Sequence, residues 1–455
     1  MKRLLLFLLL SLSFVFADAK KVLIISTPMG ASSQSSKMQY VKNNKIGLSI
    51  DYTFANSLAW DDRNGTITFS KGKQKDEASK LALLKQYDMI LFDSLAGAMS
   101  LKSALNSFED VIDEVGKDKI IVPLPIIKDT PYRKNISTSD HEALNGYWSN
   151  GGSKNLDNFC LYIQKIILEK SDVVVEAPVE IPDRGIYHPD YPNLVFKSTR
   201  EYFEYFKIKA GDKPIIALAF HRGSLSSNSM APINYTIRKL EKNDAVVLPF
   251  FTKVAGKDFA GLEFLQENNQ TIADALINFQ LMIVNHESLK DDYKKLNLPI
   301  LHALYYRNGD TQQWLDDKAG VHFSMIPMTY VIPETLGFTD GMIVASQDKV
   351  TKEIKTIEFQ MNSLIKKSLN MAKLRKLKNS EKKVAVMFYN YPPGINNMGA
   401  SFMNIPESLE MDFDNFVKKG YQPEEKNSTW FEKEVTKTLK AYYEDGHQNQ
   451  MLQEG

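Results

Sequence analysis

The strongest constraint on this chain is a recurrence. Short apolar runs return along its whole length: "KKVLIIST", "YDMILFDS", "KIIVPLP", "KPIIALAF", "DAVVLPFF", "QLMIVN", "LPILHAL", "DGMIVAS" and "KKVAVMFY". Between many of them lie charged segments with helical spacing, such as "DEASKLALLKQY" and "INYTIRKLEKN". A strand that is apolar on both faces needs a covering layer on each side, and helices inserted between such strands supply it. The pattern predicts an α/β chain of several doubly wound parallel-sheet domains.

With 455 residues, the length sets a soft prior of about three domains. Punctuation suggests how they divide. Residues 20–125 read as an N-terminal α/β domain and 126–211 as a mixed α/β region ending in "PDRGIYHPDYPN". Residues 212–350 read as a second βαβ domain, and 351–382 as a long basic bridging helix. Residues 383–455 offer one strand followed by helices, and one strand cannot bury a sheet. That segment reads as the start of a further, incomplete domain of a longer protein.

The first 19 residues stand apart. A basic head, Met1-Lys2-Arg3, precedes an apolar run from Leu4 to Phe16, and Ala17-Asp18-Ala19 fits a small-x-small cleavage site. The run is short for a membrane span, which needs about 20 residues. Residues 1–19 are therefore expected to be a signal peptide that exports the protein to the periplasm.

Composition excludes some functions. Lys plus Arg (56) nearly cancels Asp plus Glu (55), so there is no global field to attract nucleic acid. The single cysteine, Cys160, rules out an internal disulfide and a cysteine-cluster metal site, and "NFCLYIQKIIL" places it on the apolar face of a helix. The motifs H-E-x-x-H, G-x-S-x-G, G-x-G-x-x-G and Walker A are all absent from the sequence, so no ATPase site is legible.

The stretch "KVAVMFYNYPPGINNMGASFMNIPESLEM", from Lys383, carries the sharpest local signal. A strand over Lys383–Tyr389 is followed by a loop stiffened by Pro392 and Pro393, with Gly394 and Gly399 allowing close backbone approach. Asn404 fits a helix N-cap, with Glu407 three residues on, Pro406 in the first turn and Gly420 as the stop. Loops at the carboxyl ends of strands are where open α/β sheets bind ligands. Tyr389, Tyr391, Met398 and Phe402 offer flat or soft apolar surface, and Asn390, Asn396 and Asn397 offer polar direction. This suits an aromatic or macrocyclic ligand; a rigid connector between domains would use the same residues.

Several segments together resemble the CobN-type cobaltochelatase large subunit and the H subunit of magnesium chelatase. The likeness rests on "GYWSNGGSKNL", "GIYHPDYPNLVFKSTREYFEYF", "LEKNDAVVLPFF", "VIPETLGFTDGMIVAS" and "VAVMFYNYPPGINNMGASFMNIPESLEMDFDNFVKKGY", from about Tyr147 to Tyr421. It implies a tetrapyrrole substrate, a divalent metal (cobalt, magnesium or iron) that is inserted or removed, and separate AAA+ ATPase partners if the protein is cytoplasmic. Export would separate the chain from those partners and from ATP, and would favour metal removal, or a tetrapyrrole-binding module feeding transporter components.

Candidate site residues follow. In "YHPD", His188 and Asp190 are weak candidates for proton transfer, and His188 for metal binding. His221 and Arg222 close an apolar strand and could meet a propionate. Asn390, Tyr391, Pro392, Pro393, Asn396 and Asn397 are the expected macrocycle contacts. His302, inside an apolar strand, is expected to be a hydrogen-bonded core residue. Glu334 and Asp340 flank a turn, and His141, His286, His322 and His447 lack a supporting pattern.

Overall fold

A computed structural model describes residues 20–26, 31–54, 59–61, 68–70, 77–94, 105, 108–126, 132–169, 172–193, 195–253, 260–282, 287–391, 393–395, 397–400, 403–424 and 426–444. The expected leader, Pro392, Asn396, Phe402, His286 and His447 lie outside them. The chain divides into two compact units, one ending at Ala372 and one beginning at Lys373.

In the first unit the apolar runs become strands, except that residues 280–282 of "QLMIVN" follow a strand, Ala275–Asn278, instead of forming one. β1 (Lys21–Ser26), β2 (Ser49–Phe54), β3 (Met89–Asp93) and β4 (Ile120–Leu124) form a four-stranded, wholly parallel sheet in the order β2-β1-β3-β4. Both faces are covered, as uninterrupted apolar strands require. One face packs under α1 (Glu77–Leu84) and α2 (Glu109–Val115) through Leu84, Val111 and Ile112. The other packs under α3 (Thr138–Asn150) and α4 (Gly152–Ile167), where Leu144, Trp148, Phe159, Ile163 and buried Cys160 meet Val22, Ile24 and Leu91.

The second sheet of this unit has eight strands. β5 (Arg184–Tyr187), β6 (Val195–Phe196), β7 (Ile215–His221), β8 (Val246–Thr252), β9 (Ala275–Asn278), β10 (Ile300–Tyr306), β11 (Thr339–Gln347) and β12 (Ile354–Thr356) lie in the order β12-β11-β10-β9-β7-β8-β5-β6. The five central strands are parallel; β12 on one edge and β5 on the other pair antiparallel to them, and β6 pairs antiparallel to β5. Residues 126–211 thus divide between the sheets: α3 and α4 cover the first, and β5 and β6 extend the second.

The joint between α3 and α4 explains the Gly-Gly of "GYWSNGGSKNL". Gly151 and Gly152 have φ of +62° and +72°. A Cβ on Gly151 would lie 1.7 Å from the Ser226 carbonyl oxygen, so only glycine fits. Asn155 seals the corner, donating to the carbonyls of Gly151 and Val179 and accepting from Val179 N–H, each at 2.8 Å.

In the second unit, α5 (Ile405–Lys418) begins as expected: Asn404 Oδ1 accepts from Glu407 N–H at 3.3 Å, Pro406 sits in the first turn, and Gly420 at φ +83° follows the end. α6 (Ser428–Tyr443) packs on it through Phe413 and Phe431. The expected strand over Lys383–Tyr389 is a correction. The segment forms no sheet, because a strand exists only through a neighbour's hydrogen bonds and none of the described residues supplies them.

Candidate functional site

The second unit nevertheless uses the alternation of that segment. Val384, Val386, Phe388 and Asn390, every second residue, line a groove of about 730 Å³ whose other walls come from α5, α6 and the turn between them. Leu409, Phe413 and Phe416 contribute from α5, Tyr421 and Pro423 from the turn, and Trp430, Phe431 and Leu439 from α6. The rings touch in sequence, Phe413 edge-on to Phe431 at 4.9 Å and Phe431 edge-on to Trp430 at 5.2 Å. Lys382 and Lys383 also line the groove, and Glu434 is the only carboxylate among the described lining residues. A groove of this size, mostly apolar with a few charged groups, has the character of a small-molecule site.

Of the expected macrocycle contacts, Asn390 lines the groove, and Tyr391, Pro393 and Asn397 are not among its described lining residues. Tyr389 and Tyr391 stand in solvent, 80% and 63% exposed. The asparagines brace the turn instead. Asn390 donates to the carbonyls of Gly394 (3.0 Å) and Asn397 (2.7 Å) and accepts from the Tyr443 hydroxyl (2.7 Å). Asn397 donates to the Pro393 carbonyl at 3.1 Å. Val384, Val386 and Phe388 were not among the expected contacts; their period of two is the signal that marks them, and it predicts a strand equally well.

His188 is buried, and both ring nitrogens are engaged. Nδ1 accepts from Asp190 N–H at 3.2 Å, which leaves Nε2 to donate to Glu241 at 2.8 Å. Its ring packs 4.4 Å from that of Phe206. No lone pair remains for a metal, so the ligand role expected for His188 does not fit this geometry. Asp190 is bound by the Arg238 guanidinium, which holds its carboxyl below the usual range. "YHPD" therefore fastens the β5–β6 turn to the helix Ala231–Lys242.

His221 ends β7, and its Nε2 accepts from Leu281 N–H at 3.2 Å. Burial pushes its pKa down to about 4, so the ring is neutral at pH 7. Arg222 donates to the carbonyls of Ile181 (2.6 Å) and Pro182 (3.0 Å), which ties down the segment entering β5. His302 meets the expectation of a core residue: it is buried, between the Thr329 and Gln280 carbonyls at 3.0 and 3.1 Å. His141 bonds the Pro123 carbonyl at 2.7 Å, and His322 bonds Ser324 and caps a short turn. Asp340, at φ +55°, pairs with Lys367, while Glu334 sits in a short helical turn. Among the described residues, no cluster of three His, Cys, Asp or Glu side chains is placed to hold a metal ion.

The fold and groove together define a chain of parallel α/β sheets followed by a helical unit that presents an aromatic-lined pocket. The model of the CobN/Magnesium Chelatase family matches residues 145–453, and the chain belongs to that family. It is 25% identical over 301 residues to the chloroplastic magnesium-chelatase subunit ChlH of Oryza sativa subsp. indica, covering 61% of this chain and 22% of that protein. It is 26% identical over 339 residues to the uncharacterized protein MJ0908 of Methanocaldococcus jannaschii, covering 68% of this chain and 27% of that one. The structure of the catalytic subunit of cobaltochelatase from Mycobacterium tuberculosis matches with a TM-score of 0.64 at 15% identity, over 93% of this chain and 33% of that one. That match carries the α/β architecture. The chain spans about a quarter of the length of these curated relatives.

Proposed function

We propose that this chain is the tetrapyrrole-holding part of a chelatase large subunit, and that a macrocycle lies in the groove of the second unit while its metal is exchanged. The observation that carries the reading is the groove itself: about 730 Å³, walled by Phe388, Phe413, Phe416, Trp430 and Phe431. A tetrapyrrole is a flat apolar disc with carboxylates at its rim. The rings suit its faces, and Lys382 and Lys383 suit its carboxylates. No imidazole or thiolate lines the groove among the described residues, so this part of the chain contributes the seat for the macrocycle. By kinship, ATP-driven steps belong to separate AAA+ partner subunits.

Titration with a metal-free porphyrin tests the reading through the emission of Trp430, which lines the groove. Quenching that saturates at equimolar porphyrin is expected. Val386→Asp sets a charge in an apolar wall at a surface position, so it should weaken binding about tenfold or more and leave the fold intact. Wild-type affinity in that variant would remove the groove from the reading. Following the absorption bands of metallated and metal-free porphyrin in the same preparation then separates metal removal from insertion.

We also propose that residues 1–19 direct export, on the strength of their basic head, apolar run and Ala-Asp-Ala end. Fractionation with N-terminal sequencing tests it; an intact Met1 in the cytoplasmic fraction would refute it.

A further inference from the structure

The eight-stranded sheet has a crevice of its own, in a different unit from the groove. Its parallel strands follow the order β11-β10-β9-β7-β8, so the winding direction reverses between β7 and β9. At such a reversal the loops leaving neighbouring carboxyl ends part company and leave room for a ligand. Phe279 and Gln280 leave β9 here. With Leu304 and Tyr305 of β10, and Val321 and His322 of the segment after it, they line a cavity of about 250 Å³. A cavity of about 150 Å³ is enough for benzene, so this one takes an aromatic ring with a substituent.

Gln280 is fully buried and spans the ends of three strands. Its side-chain amide donates to the Phe220 carbonyl of β7 at 3.2 Å and to the Thr252 hydroxyl of β8 at 2.8 Å. The amide cannot be reversed, since that would set its oxygen against the Phe220 carbonyl. Oε1 is left without a hydrogen-bond partner among the described residues. A buried acceptor in that state costs stability unless something donates to it.

His322 supplies a donor to the same lining. Its Nδ1 accepts from Ser324 N–H at 3.4 Å, so the hydrogen of the ring sits on Nε2. His302, also in the lining, has both ring nitrogens against carbonyl oxygens and offers nothing further. Arg307 lies over the Tyr305 ring at 5.7 Å, and no carboxylate lines the cavity among the described residues. The lining therefore suits a ligand without charge: an apolar ring that bears a donor and an acceptor. A carboxamide carries both on adjacent atoms.

We propose that this cavity binds a neutral aromatic carboxamide. The ring lies against Phe279 and Leu304, the amide N–H donates to Gln280 Oε1, and the carbonyl accepts from His322 Nε2–H. The cavity has about a third of the groove's volume and does not hold a macrocycle, so this site is independent of the reading given above.

Ligand-observed NMR on the whole chain tests the proposal, with nicotinamide as the probe. Methyl nicotinate keeps the ring and the carbonyl but has no N–H. Nicotinamide should bind at millimolar concentration, and the ester at least about tenfold more weakly, because it leaves the Gln280 acceptor unmet. Gln280→Met removes that acceptor, so the amide should fall to the affinity of the ester while the ester binds as before. His322→Phe keeps a ring at a half-exposed position and removes the donor, so it should weaken both ligands about tenfold. Saturating nicotinamide should leave porphyrin quenching unchanged. Failure of the folded wild-type chain to bind nicotinamide at tens of millimolar overturns the proposal, as does equal binding of amide and ester. So does an equal loss of both ligands in a folded Gln280→Met protein, wild-type affinity in His322→Phe, or competition between nicotinamide and porphyrin.

Discussion

At His221 the fold keeps a titratable ring neutral against its ordinary tendency. Burial lowers its pKa from 6.5 to about 4, and burial lowers those of His141 and His302 as well. Between pH 6.5 and 4 the unfolded chain holds a proton on the His221 ring that the folded chain does not. Stability is therefore fully present above pH 6.5 and is lost as pH falls toward 4. For His221 alone the shift corresponds to on the order of 3 kcal/mol. His221→Gln retains an acceptor for Leu281 N–H but cannot be protonated. Urea melts from pH 7 to 4 should show a shallower loss of stability for this variant than for wild type; equal slopes would mean that the ring is protonated in the fold. Some of this residue-level picture was legible. Apolar neighbours on both sides announced the burial of His302 and Cys160. The Glu241 partner of His188 lies 53 residues away in sequence, and no local pattern reports such a pairing. The pairs within "YHPD" also differ in weight. Asp190–Arg238 is half exposed and contributes little, whereas His188–Glu241 closes a buried site that would be costly to leave unpaired.

Elements set by local chemistry were read correctly, and one set by its partners was not. Asn404, Glu407, Pro406 and Gly420 fix both ends of α5 because caps and stops act within a few residues. Lys383–Tyr389 kept its alternation but not its sheet, since ladder hydrogen bonds come from elsewhere in the chain. The turn that follows is braced by the Asn390 side chain. Asn390 joins Gly394 and Asn397 to Tyr443 of α6, making hydrogen bonds at both its amide nitrogen and its oxygen. Asn390→Ala should destabilise the second unit by about 1–3 kcal/mol, because it leaves several partners unmade at once. Tyr391→Ala, at an exposed ring, should stay within about 0.5 kcal/mol. Melting both variants checks the contrast, and an Asn390→Ala protein as stable as wild type would assign the turn's rigidity to Pro393 and its neighbours.

Across the molecule, alternation of strand and helix was enough for the α/β class, because covering both faces of a parallel sheet is a general demand. It did not reveal that α3 and α4 serve one sheet while β5 and β6 join the other, since period and propensity do not say which neighbour a surface will meet. Nor did it show how unequal the two units are. The unit ending at Ala372 rests on four extended apolar clusters on its two sheets. The unit beginning at Lys373 has Ile405, Leu409 and Phe431 with Phe413, and its apolar groove stands open. Buried apolar area is the main source of stability, so heating should give two transitions, the lower one from the second unit. A porphyrin that binds only the folded groove at a hundred times its Kd adds about 2.7 kcal/mol to that unit. At about 4–8 °C per kcal/mol for a unit of this size, the lower transition should rise by roughly 10–20 °C. The upper one should stay in place, because nothing in the proposed site belongs to the sheets that set it. Scanning calorimetry with and without porphyrin decides the matter: a shift confined to the upper transition would move the macrocycle out of the groove and onto the sheets.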